Sequence, residues 1–288
     1  MEIVPQLVAN SIIAGSIYSL VALGFNLVYG VTKFFNLAHG ALAVVGGYTT
    51  FYFLKYLHLN LYLAVVLGVL VAGLVGYLLD KFIYLPLRQR KASGMVLLVA
   101  SLGVFTAIQA LLAILFSSQF QTLSLYIGPQ RIFDLFGGII TQTQLIILVS
   151  VLLITILLSW ILNQTMFGKA VKAISDDEEV AKIVGINTNK IIGYVFFIGS
   201  AVAGLAGILV GFDTGIEPTM GMFLLLGGVI GAIVGGIGNI YGGVLGSFLL
   251  GFVENFGIWQ ISGEWKAAIA FILLTLFLIF RPEGIMKK

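Results

Sequence analysis

Cysteine is absent from the 288 residues, which removes a disulfide framework, thiolate chemistry and any cysteine-based metal site. Histidine is nearly absent: His39 and His58 stand well apart in sequence, so a histidine metal cluster within the chain is not expected. Charge is the third scarcity. Only 9% of residues are Asp, Glu, Lys or Arg, against about a quarter in soluble domains, which excludes an ordinary soluble globule. A phosphate-binding loop is missing as well. No Gly-x4-Gly-Lys-Ser/Thr occurs, and Gly235-Gly236-Ile-Gly238 follows no strand, so the chain is not expected to hydrolyse ATP or to carry a cofactor of its own.

What fills the chain instead is apolar surface, 60% hydrophobic residues at a mean hydropathy of +1.11. The expected fold is an all-α polytopic membrane protein, one transmembrane domain over residues 1–288 with lipid bilayer as its solvent. The net charge of +3 says little, and no nucleic-acid partner is expected. Met1-Glu2 precedes the first apolar stretch with no basic segment, and that stretch is too long for a cleavable leader, so it is read as the first span.

Taken in order, the spans are Pro5 to about Val31; a short one, Ala41 to Leu54, broken or extended at its start; Leu61 to Leu79; Met95 to Phe116; Gln144 to Leu162; Ile191 to Phe212; a second short one, Met222 to about Gly236; Ile240 to Trp259; and Ala267 to Phe280. That makes eight or nine helices, the uncertainty lying with the short segments. Lys81, Arg88, Arg90 and Lys91 mark the loop Asp80 to Gly94 as cytoplasmic, and Lys169, Lys172, Lys182 and Lys190 do the same for residues 163–190. Counting from them puts the N-terminus outside and the C-terminus inside, in agreement with Arg281, Lys287 and Lys288 in the tail. The neutral loop containing Pro129, Arg131, Asp134 and Gly137-Gly138, and the link Asp213 to Gly221, then face outward.

The one long polar island runs from Gly168 to Ile186. It reads as a short helix capped by Ser175 with Glu178 completing a capping box, Asp176, Asp177, Glu178 and Glu179 lying against the positive end of its dipole, and Gly185 stopping it. Val180, Ile183 and Val184 share one apolar stripe that needs something to sit against. Two readings fit: a solvated loop resting on its own membrane ends, or a docking helix for a soluble partner.

Glycines recur at intervals of four, in the sets 207, 211, 215 and 227, 231, 235 and 238, 242, 246, which suits close helix packing. Sliding the chain by 181 residues aligns Gly30 with Gly211, Gly40 with Gly221, Gly46 with Gly227 and Gly47 with Gly228, and lays spans one to three on spans six to eight. The offset crosses an odd number of spans, the pattern of an inverted repeat with its site at the pseudo-symmetry interface. On that reading the interruptions Asn36-Leu-Ala-His39-Gly40 and Glu217-Pro218-Thr-Met-Gly221 correspond, and their free backbone groups line a translocation path. The plainer reading makes Asn36 and His39 helix caps. Glu254, an acid inside span eight, is either part of that path or a structural pair with a neighbouring helix.

Asn36 to Gly40, Gly15-Ser-Ile-Tyr18, Tyr84-Leu-Pro-Leu-Arg88, Gly168, Ala170, Lys172, Ala173, Asp177, Ala181, Gly185 and Ile186 in the island, Gly199 to Gly207, Pro218 to Gly221, Gly235 to Asn239 and Phe280 to Gly284 together resemble, in order, permease subunits of branched-chain amino acid ABC importers. Lys172 stands where arginine is usual, keeping the charge but losing the planar fork. Leu224 to Gly228 departs from the Gly-Leu-Lys-Ala sequence often found there, which leaves the substrate open. The resemblance implies an inner-membrane transport subunit, not an enzyme. It would work with two cytoplasmic ATPases that bind ATP and Mg, a second identical or homologous permease and an extracytoplasmic solute-binding protein, with residues 163–190 as the ATPase-coupling loop. The competing classes are a self-sufficient ion-coupled transporter or channel, and a non-transporting scaffold.

Overall fold

The computed structural model describes residues 3–135 and 137–286. Its helices are α1 (Ile3–Thr32), α2 (Ala38–Lys55), α3 (Leu61–Leu79), α4 (Leu85–Gln89), α5 (Gly94–Phe116), α6 (Gln142–Gln164), α7 (Met166–Asp176), α8 (Glu178–Ile183), α9 (Thr188–Asp213), α10 (Met220–Gly235), α11 (Ile240–Ile258) and α12 (Lys266–Phe280), with a hairpin of β1 (Ile132–Leu135) and β2 (Gly138–Thr141) between α5 and α6. Among the described residues seven helices are long and apolar enough to cross a membrane; α2 and α10 are not among them, α10 being a shorter apolar helix. With 18 and 16 residues they reach about 27 and 24 Å at 1.5 Å per residue, just short of the hydrocarbon thickness.

α1 and α9 lie at the centre, buried over most of their length, while α3, α5, α6 and α12 turn mostly exposed aliphatic side chains outward. The packing respects an exchange of α1, α2 and α3 with α9, α10 and α11. α1 packs on α9 and α2 crosses α10. The α1–α11 contact is matched by α9–α3, the α1–α10 contact by α9–α2, and the α2–α3 contact by α10–α11. This is the inverted repeat expected from the glycine register, with α1 the first span and α9 the sixth, so that equivalent helices run in opposite senses.

The centre of the exchange is a glycine pair. A Cβ on Gly221 would stand 2.7 Å from the Gly40 carbonyl oxygen, and one on Gly40 would collide with the Gly221 carbonyl. These residues belong to the first turns of α2 and α10, so the two short helices begin beside one another. Gly235 and Gly242 bring α10 and α11 into the same kind of backbone contact, as the four-residue glycine spacing implies.

Two segments differ from the sequence expectation. Asp80 to Gly94 is helical as far as Gln89: the chain leaves α3 through a π-helical turn, Asp80–Tyr84, and continues as α4. Buried Tyr84 and the Asp80–Arg88 ion pair hold that extension. Residues 132–141, expected to be irregular, form the β1–β2 hairpin, with Gly137 at φ 86° making its turn.

The loops sort onto two faces as span parity requires. On one, Gln6 at the start of α1 exchanges hydrogen bonds with Ile139 of the hairpin (3.1 and 2.8 Å), and Gln121 pairs with Ile216 in the α9–α10 link. On the other, the α4–α5 segment and α8 border one cavity, and the tail returns to α10 through Ile285 N–H to Val234 O, 2.9 Å. Lys287 and Lys288, used to orient the tail, lie outside the described residues.

Candidate functional site

The polar island folds as two helices rather than one. Thr165 caps α7 by accepting from Gly168 N–H at 3.0 Å, and Gly168 presses against the end of α6, where a Cβ would strike Ile161 and Leu162. Val171 and Ile174 are buried beneath α7; Lys172 Nζ donates to Asn163 Oδ1 at 2.6 Å. Ser175, expected to be the cap, is inside α7. The cap of α8 is Asp177, whose Oδ1 accepts from Glu179 N–H (2.8 Å) and Val180 N–H (3.1 Å). Its carboxylate also brings negative charge to the positive end of α8.

Glu178, read as the capping-box partner, bonds instead to Lys182 (2.7 Å) and accepts from Thr188 Oγ1 (3.2 Å), tying α8 to the start of α9. Gly185 takes φ 87° as the helix stop and Ile186 N–H closes on Ala181 O. Only Ala181 of α8 is buried. The expected apolar stripe faces away from the protein, Val180 at 54%, Val184 at 68% and Ile183 at 82% exposure. Six residues with two bare aliphatic side chains, and a third at the C-cap, would not hold a helix alone in water.

The second candidate region lies where α2 and α10 begin. Asn36 is buried, and its Oδ1 accepts from Ala38 N–H (3.1 Å) and from the Tyr84 hydroxyl (3.0 Å), closing the turn before α2, whose N-cap position is Leu37. Ser101 of α5 holds the same turn, accepting from Leu37 N–H at 3.0 Å. His39 is fully buried, its ring beside Gly24 of α1 and edge-on to Phe25. Gly40 meets Gly221. Pro218 is buried before α10, while Glu217 accepts from the Thr219 hydroxyl at 2.8 Å. The structure thus joins the two halves of the predicted path at Gly40 and Gly221. It places Asn36 and His39 to one side of that junction in the chain, and Glu217 and Pro218 to the corresponding side of the other half.

Glu254 belongs to a different set of contacts. It is buried in α11, accepts from the Tyr18 hydroxyl at 2.8 Å and pairs with Lys266 Nζ at 3.4 Å. Both partners hold a charge that would otherwise be stranded among apolar helices. Glu254→Leu is expected to cost about 1–3 kcal/mol by leaving the Tyr18 hydroxyl unpaired, whereas Glu254→Gln preserves an acceptor and most of the stability. Thermal unfolding of both variants in detergent checks this. Equal losses, or none, would contradict a structural pair.

Sequence reasoning passed over Tyr84, Asp80 and Arg88 as site residues. Their signal was an acid set among bases, and a tyrosine noted only for resemblance. Two cavities open on the face that carries α7 and α8. One, about 390 Å³, is walled by α1, the end of α6, α7 and the α10–α11 turn; the other, about 370 Å³, lies between the α1–α2 turn, α4 and α8. Asn26 of α1 pins the α10–α11 turn beside the first, accepting from Gly238 N–H and donating to Asn239 O, both at 3.1 Å.

The geometry is that of a helical membrane fold of two related halves, with short helices meeting at its centre and a helix on one face that bares an apolar stripe. Residues 7–278 match the family described as branched-chain amino acid transport system, permease component. The chain belongs to that family. It is 30% identical to the high-affinity branched-chain amino acid transport system permease protein BraD of Pseudomonas aeruginosa, over 98% of this chain and 95% of the relative. It is 28% identical to the probable branched-chain amino acid transport permease protein LivH of Methanocaldococcus jannaschii, over 97% and 91%. The fold is similar to a solved structure described as PsaBC from Streptococcus pneumoniae in complex with Fab, with a TM-score of 0.52 at 15% identity, covering 95% of this chain and 91% of that one. The chain is thus a multi-pass membrane permease component.

Proposed function

We propose that this permease imports branched-chain or closely related amino acids across the cell's inner membrane, driven by two cytoplasmic ATPase subunits that bind ATP and Mg. It pairs with a second permease and receives its substrate from an extracytoplasmic solute-binding protein. The N-terminus lies outside and residues 163–190 inside, by the distribution of basic residues. The observation that carries the reading is the outward stripe of Val180, Ile183 and Val184 on a helix fixed to α9 through Glu178 and Thr188. An apolar face so exposed, on an element so firmly attached, suits a docking surface that must pass on force.

Closure of the ATPases pushes α7 and α8, and the two inverted halves rock against one another about the Gly40–Gly221 junction to give alternating access. Asn36, His39, Gly40, Glu217, Pro218 and Gly221 line or shape the path, and Glu254 braces α11 beside it. Substrate affinity resides chiefly in the binding protein.

The test is uptake of labelled L-leucine into proteoliposomes. With ATPases, second permease and loaded binding protein present, uptake is expected to require ATP and to persist without an ion gradient. Gradient-driven uptake by the chain alone would replace this reading with a self-sufficient transporter.

A further inference from the structure

We infer that the π-helical turn Asp80–Tyr84 with Arg88 is the joint through which α8 sets the start of α2, making Asp80, Tyr84 and Arg88 positioning residues of transport. This inference deepens the importer reading and rests on it.

From Arg88 to Gly40 the contacts are continuous, and between Arg88 and Glu178 lies a cavity. Arg88 Nη2 donates to buried Asp80 Oδ1 at 2.7 Å across the π turn. At the other end of the same turn the Tyr84 hydroxyl donates to Asn36 Oδ1 at 3.0 Å, the atom that also accepts from Ala38 N–H in the first turn of α2. Two residues further on stands Gly40, in backbone contact with Gly221. The Tyr84 ring is gripped by Phe34 before α2 and Phe196 of α9, with centroids 5.1 and 5.5 Å away, so a movement of Tyr84 is transmitted rather than absorbed. Toward the face of α8, Arg88 and Glu178 border the same 370 Å³ cavity, and their opposite charges attract across it.

Two features make this a joint and not only a brace. A π turn holds one residue more than an α turn, and the same residues can close as ordinary α turns by a one-residue shift in register, so the element has a second discrete arrangement. Arg88 also keeps donors in reserve: its Nε and Nη1 groups are buried without a partner among the described residues. Buried donors left unmade are costly, so a displacement that brings the Glu178 carboxylate onto Arg88 is met by hydrogen bonds already waiting. Pressure on α8 would then engage Arg88, shift the π turn and carry Tyr84 and Asn36 with it.

The experiment uses the full reconstituted complex and reads substrate transported per ATP hydrolysed. Tyr84→Phe removes one hydroxyl and keeps the ring packing; Glu178→Gln removes the charge facing Arg88. Tyr84→Phe is expected to keep its ATPase activity while transport per ATP falls at least about fivefold, the low end of ordinary coupling strengths; Glu178→Gln, which also loosens α8 from α9, is read only by transport per ATP in the assembled complex, where a fall of the same size is expected. The double variant is expected to be no worse than the poorer single one, because both interrupt one line. Losses that multiply, an unchanged ratio, or a fall in assembled complex at constant ratio would overturn the joint. Absence of ATP-driven uptake in the unaltered complex would overturn the importer reading itself and the joint with it.

Discussion

Replacing Ile183 by Asp is expected to abolish ATP-driven uptake and co-purification of the ATPases while leaving the permease folded and in the membrane. Ile183 is 82% exposed and makes up the outer part of the α8 stripe, so the free protein loses almost no packing; exposed substitutions of this kind shift stability by about 0.5 kcal/mol or less. At a docked interface the same carboxylate would be buried unpaired, a situation worth about 3–5 kcal/mol when a buried charge lacks its partner. Since about 1.4 kcal/mol is tenfold in binding, ATPase affinity should fall by at least about 100-fold. Val180→Asp should act in the same direction. Unchanged co-purification and uptake in both variants would remove α8 from the mechanism, and a lowered melting temperature would show the stripe to be internally packed.

The second large effect is expected at the helix junction. Gly40→Val should prevent accumulation of folded permease, because its Cβ would overlap the Gly221 carbonyl and stand 2.9 Å from the Leu225 Cβ. A backbone carbonyl inside a helix cannot step aside as a flexible side chain does. Overpacking costs about 1–3 kcal/mol where side chains can adjust and more where they cannot. Gly221→Val should be matched in severity, since the two residues exchange places in the repeat. The control is Gly103→Ala in α5, where an added Cβ meets nothing within 4 Å and helix propensity favours alanine by about 0.5–1 kcal/mol. Thermal unfolding in detergent should separate the junction variants from the control by several degrees. Equal behaviour would mean that the closeness of α2 and α10 is not required.

Much of the architecture was legible along the chain because the bilayer imposes a one-dimensional constraint. A helix that must satisfy its own backbone groups in hydrocarbon shows as an apolar run of fixed length, and α3, α5, α6, α9 and α11 end within three residues of the boundaries expected for them. The repeat was legible for a related reason: close backbone approach admits only glycine, so Gly40 and Gly221 mark a three-dimensional contact with a one-dimensional sign. The cap of α8 was not. Ser175 and Asp177 are both good caps two residues apart, and the choice between them was made by Val171 and Ile174, which anchor α7 as a separate helix beneath the α6 end. The extension of α3 was equally hidden. Asp80, Lys81 and Arg88 look like a solvated loop until the Asp80–Arg88 pair and the Tyr84 ring between Phe34 and Phe196 show that part of this polar stretch is interior.

The chain alone showed a helical membrane protein of eight or nine spans, a glycine register that fits an inverted repeat, and one polar segment with an apolar stripe. Those properties follow from hydropathy, glycine placement and charge, each acting over a few neighbouring residues. Only the tertiary structure decided that α2 and α10 start against one another, that Glu254 is held by Tyr18 and Lys266, and that Asp80, Tyr84 and Arg88 connect the face of α8 to Asn36. Such contacts join residues from 8 to 236 positions apart. At that separation the partner of a polar side chain depends on which helices the fold brings together, and no local pattern encodes it.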